Sequence, residues 1–229
     1  MPNAKTLSSY LTELVVVFVG VALAFAVDNH REARNDRTVG NEYMSAFRQD
    51  LKADLQMLQN QLNARQAQLE NARTVLEFFE GRPSDPAIFF EAYWPVLWDL
   101  RTIPNRNTMD EALSSGSLRL IRDAEIRTGL LNLYATYASI ANFEEHMARD
   151  FDMYLYDPTF SSIPIQFAGP WDDTPANRES VETLLGDRRV ENGLRLIVAN
   201  LDFDHESLLP QLERARLQVE QLLQQIPAG

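Results

Sequence analysis

The chain has 229 residues, 45% of them apolar and 24% charged, a balance that suits a folded protein rather than a disordered one. It has no cysteine, which excludes disulfides, thiolate-held clusters, Cys-based zinc sites and covalent haem attachment. Net charge is −12. Residues 1–37 sum to zero, so all the excess acid lies beyond them; with no Lys/Arg run to offset it, no nucleic-acid partner is expected.

After a short tail (1–6), residues 7–27 read LSSYLTELVVVFVGVALAFAV, with Glu13 their single charge. At ~1.5 Å per residue the segment reaches about 30 Å, the thickness of a bilayer's hydrocarbon core, and a transmembrane helix is predicted. The uninterrupted apolar part, Leu14 to Val27, is short enough that a signal-peptide core is the competing reading. Against cleavage stand a nearly uncharged start and the absence of a small-x-small exit site in DNHREARNDR, which continues as a helix. Glu13, Val17, Gly20, Ala24, Val27 and Arg31 share one helical face. Gly20 and Ala24 form a small-xxx-small notch for another helix, and Glu13 calls for a protein partner or a place at the headgroups. Arg31, Arg34 and Arg37 after the span mildly favour a cytoplasmic domain by the positive-inside rule.

Residues 28–229 are expected to form one acidic all-α domain, an antiparallel bundle of long helices. Leu51, Leu55, Leu58, Leu62, Arg65, Leu69, Ala72, Leu76 and Phe79 recur at alternating four and three, a heptad seam that should stop at Gly81-Arg82-Pro83. Residues 86–100 predict a helix broken at Pro95 and rich in aromatics; Phe89, Phe90, Tyr93, Trp94 and Trp98 either fill the core or, at the surface, form a membrane-interface belt or a docking patch, with Trp94 and Trp98 the candidates for an aqueous contact. Thr108 and Glu111 suggest a capping box, and Asp123 the N-cap of a helix to about Tyr154 with Ile126, Leu130, Leu133, Tyr137, Ile140 and Phe143 or Phe151 buried. Residues 157–178, with four prolines around Phe167 and Trp171, predict an irregular loop and a candidate contact surface. A second seam runs Val198, Leu201, His205, Leu208, Leu212, Ala215, Val219, Leu222 and Ile226, with Pro210 off it, kinking the helix or marking its start. Arg65 and His205 are read as polar seam residues that set register.

The three histidines offer no paired Glu-x-x-His, and no phosphate loop or nucleophile elbow occurs. No enzyme, metal or cofactor is expected.

LTELVVVFVGVALAFAVDNHREARNDR and NTMDEALSSGSLRLIRDAEIRTGLLNLYATY resemble a family of uncharacterised bacterial membrane proteins with a single N-terminal span and a helical domain. The resemblance implies a bacterial inner-membrane protein with its amino terminus inside and its domain in the periplasm. The expected role is a non-catalytic accessory subunit of a respiratory or photosynthetic membrane complex, its partners other integral membrane subunits and the bilayer. The rivals are a self-associating envelope sensor using its heptads as a coiled coil, and a membrane-anchored enzyme or cofactor carrier.

Overall fold

The computed structural model describes residues 4–83, 85–164 and 170–227, with side chains from residue 13 onward. Among these residues every regular element is helical. The predicted span and first seam helix are one uninterrupted α-helix, α1, Ala4–Phe79. Its 76 residues reach about 114 Å at ~1.5 Å each. No proline interrupts residues 3–82, and the charged stretch after Val27 keeps good helix formers, so nothing in the chain breaks it. α1 ends where expected, in a Schellman turn. Gly81 takes φ +105°, its N–H reaches Phe78 O at 3.2 Å, and Arg82 N–H reaches Glu77 O at 3.0 Å.

From residue 13 to 35 every residue of α1 is exposed; burial begins at Gly40 and Phe47. Gly40 is required there. A Cβ on it would sit 2.7 Å from the backbone oxygen of Leu120, where a short 3-10 turn (Ser117–Leu120) lies against α1. Beyond it the predicted seam faces inward: Leu51, Leu58, Arg65, Leu69, Ala72 and Leu76 are buried, and Leu55, Leu62 and Phe79 half-buried.

α2 (Pro86–Val96) opens with Asp85 accepting from Ala87 N–H at 3.0 Å and with Pro86 in the first turn. It continues through Pro95 and stops one residue later. Phe89, Phe90, Tyr93 and Trp94 are buried, with Phe78 and Phe89 edge-to-face at 5.4 Å. α3 (Asn107–Ser114) lacks the expected capping box: its N-cap is Arg106, with no side-chain cap bond. Thr108 is buried inside the first turn, and Glu111 accepts instead from the Tyr43 hydroxyl at 3.3 Å. α4 (Ala124–Phe151) is capped by Asp123, which accepts from Glu125 N–H at 2.8 Å. Its stripe is buried as expected, with Phe151 inside and Phe143 half-buried.

The predicted irregular loop is shorter than expected. α4 passes through a π-helical turn (Asp152–Tyr156) into α5 (Asp157–Ser162), and α6 (Pro175–Gly186) starts at a Thr174 cap. Pro175 falls in the first turn of α6, where a proline lacks no bond the helix needs, and Pro158 comes just after the π-helical turn, so proline content overstated the irregularity of the segment. The second seam is split: α7 (Arg188–Asp202) and α8 (Leu208–Gln225) flank a turn at 203–207. Pro210 forces this break, since it is tolerated in the first turn of α8 but not inside one long helix. α1 packs against α2, α7 and α8, and α4 against α8.

Candidate functional site

Two arrangements stand out: the exposed apolar length of α1, and a buried polar cluster inside the body. α1 is one helix long and apolar enough to cross a membrane, and none of its apolar window is buried. Leu14, Phe18, Leu23 and Phe25 are each more than 60% exposed, a continuous apolar length of helix with no cover inside the chain. Glu13, Val17, Gly20 and Ala24 are all exposed on it, and a Cβ added at Gly20 would meet nothing within 4 Å. The notch is therefore open.

Inside the body, residues 97–106 run without helix between α2 and α3 and are held from two sides. From α1, Gln68 donates to Val96 O at 2.8 Å, Arg65 to Leu100 O, and Gln61 to Arg101 O at 2.7 Å, while Asp54 accepts from Asn105 N–H at 2.8 Å. From α4, Glu144 accepts from Thr102 N–H at 2.9 Å and Thr102 Oγ1 at 2.8 Å, and Tyr134 donates to Asn105 O at 2.7 Å. Across the strap Arg65 meets Glu144 at 3.1 Å, both side chains 3% exposed. Tyr137 donates to Asp54 at 2.9 Å. A non-helical strand of backbone has no partners of its own, and these side chains supply them. Burial raises the Asp54 carboxyl above its ordinary range, against the pull of Asn105 and Tyr137. Burial likewise lowers the Arg65 guanidinium, which Glu144 opposes. The cluster is a structural clamp: most of its donors and acceptors are spent on the strap and on one another, while Arg65 Nε and Gln61 Oε1 are buried without a hydrogen-bond partner.

Arg65 is thus the buried polar seam residue expected. His205 is not: it lies outside both helices in the turn at 203–207, its side chain 79% exposed, beside Glu206. Trp94 is in the core, stacked on Phe90 with ring centroids 5.9 Å apart and lining a small cavity with Trp171 and Ala176 of α6, so it presents no docking surface of its own. Trp98, two residues past the end of α2, is 62% exposed. Trp171 is half-buried against Phe90, ring centroids 6.3 Å apart, and Phe167 lies outside the described residues. The structure therefore does not gather Trp94, Trp98 and Trp171 into one surface patch. A cleft of about 140 Å3 beside Trp98 is lined by Arg101, Phe151 and Tyr156.

Glu144 and Asp54 were missed, yet each left a signal. Ile140, Glu144, Met147 and Phe151, like Phe47, Leu51, Asp54 and Leu58, keep the four-three-four rhythm of a buried stripe. A carboxylate in such a stripe marks a buried partner. The strap left no such trace, since its pairing is long-range. Among the described residues no group of three or more His, Asp or Glu could hold a metal ion. No family model, curated protein or solved structure matches the chain, so its residues have to carry the functional conclusion.

Proposed function

We propose that this protein is a non-catalytic accessory subunit, anchored by residues 7–27 in a bacterial inner membrane and bracing the subunits of a larger respiratory or photosynthetic assembly. The observation that carries it is the continuity of α1: the exposed apolar segment and the core helix of the body are one rod, Ala4–Phe79, with no hinge between them. A rod of this kind fixes the height and direction of the body over the bilayer, which is what a brace needs and an enzyme does not. Glu13, Val17, Gly20 and Ala24 seat a neighbouring membrane helix, and the exposed Trp98 region meets a partner in water. The body is an antiparallel bundle about α1. In support, Arg48 of α1 donates to Leu223 O near the end of α8 at 2.8 Å, while Leu62 and Gln66 lie beside Leu209 at its start. The body lies on the periplasmic side, as the resemblance of the opening sequence implies.

The test is purification of the full chain from its own membranes in mild detergent. Other integral membrane proteins are expected in fixed ratio with it. A clean monomer at native expression would sink the assignment.

A further inference from the structure

We infer that the helix seated on the notched face of α1 is α1 of a second copy, running parallel, so that the protein works as a pair. This rests on the proposed bracing role and names the occupant of its membrane contact. The inference comes from the neck, residues 28–37, where α1 stands free between its apolar segment and the body. At ~100° per residue Asp28, Glu32 and Asp36 fall within an arc of about 80°. His30, Arg34 and Arg37 fall within about 60° on the other side, while Arg31 lies on the face of Val17, Gly20 and Ala24. Like charges therefore stand three and four residues apart, the spacing at which they repel along one helix. All but Asp36 are exposed, and none of the ion pairs among the described residues involves any of them. Within the neck of one helix only Asp28 and Arg31 stand as opposite charges three residues apart, so the stripes gain little from an isolated helix.

A second copy does. The line midway between the acidic and basic stripes continues the face of Val17, Gly20 and Ala24 to within about 20°. In a parallel two-fold pair closed along that line, the acidic flank of each helix faces the basic flank of the other on both sides of the seam, as e and g positions do in a coiled coil. An antiparallel pair would set acid against acid. The body does not obstruct this. Gly40, Phe47 and Leu51, buried against it, lie about 180° from the seam, so the two bodies hang on the outer sides. Past Glu42 the same outward line of α1 runs through Ser45, Gln49, Ala53, Gln56, Asn60 and Ala67, all exposed and none charged, on a chain whose net charge is −12. A like-charged face would keep two copies of such an acidic body apart; apart from Glu42, which meets its own counterpart, this line carries no charge and lets the rods continue side by side. At the far end the two Glu13 side chains meet across the same line near the membrane edge.

The chain has no cysteine, so single cysteines can be placed in the full-length protein in its membrane and joined by a short bis-maleimide. Two differently tagged copies are co-expressed. Asn35→Cys and Gln49→Cys, on the seam, should yield mixed-tag dimers, and Ala33→Cys, about 180° away, several-fold fewer. Glu32→Lys should cut the Asn35→Cys yield several-fold, and adding Arg34→Glu should restore it, which a mere loss of folding would not. Equal yields at Ala33→Cys would overturn the seam. Adducts to a different protein alone would overturn the second copy while leaving the bracing role intact. Adducts to nothing, with a monomer on purification, would end both.

Discussion

Replacing Arg65 by Met removes the cation from a site where Glu144 is 3% exposed and keeps only its bonds from Thr102. Breaking a buried pair from one side costs about 3–5 kcal/mol, because the remaining charge stays desolvated without its partner. Here Leu100 O and Gln68 Oε1 also lose their donor, which places the loss toward the upper half of that range. Glu144→Leu should cost about as much, since it leaves the Arg65 cation buried and the Thr102 N–H and hydroxyl without an acceptor. In the double variant no charge is stranded, and the cost should fall short of the sum by about 2 kcal/mol or more. For a body of this size about 4 kcal/mol lowers Tm by roughly 8–16 °C. Near-ultraviolet circular dichroism in mild detergent, which reads the buried Tyr93 and Trp94, follows the transition. Single variants within about 1 kcal/mol of the parent, or strictly additive losses, would refute the clamp.

Gly40→Ala drives a Cβ to 2.7 Å from Leu120 O and should cost about 1–3 kcal/mol, whereas Gly20→Ala meets nothing within 4 Å and should leave the body's Tm unchanged. Tyr137→Phe removes a donor to the buried Asp54 carboxylate and should lose about 1.5–3 kcal/mol in denaturant titration. The Asp54 carboxyl titrates above its unfolded value of about 3.9 because burial disfavours the anion. Its contribution to stability is therefore fully present below that value and is lost as pH rises through the raised folded one. Asp54→Asn should flatten the corresponding fall in Tm between acid and neutral pH; an unchanged pH profile would show that the group is not the source. Asp123→Ala removes the acceptor for Glu125 N–H and should lower stability by about 0.5–2 kcal/mol with α4 fraying first in hydrogen exchange.

The sequence alone determined what depends on near neighbours along the chain. The apolar length after Glu13, the stop at Gly81, the cap at Asp123 and the inward stripes of α1 and α4 are set by spacing, by a left-handed glycine and by one side chain reaching two residues ahead, so they were legible before any folding. Pro210 was legible too, though only as a choice between a kink and a start. Tertiary structure decided the rest. Whether Trp94 fills the core or faces water depends on what α2 packs against, and whether His205 sits in a seam depends on a break that its own spacing conceals. The candidate site in the body follows the same division. Arg65 announced itself by standing in a run of leucines, but its partner lies 79 residues away, and the strap they hold has no periodicity to read. Pairings of that kind arise when packing brings distant polar groups out of water together, because each must then find the other or lose its hydrogen bonds.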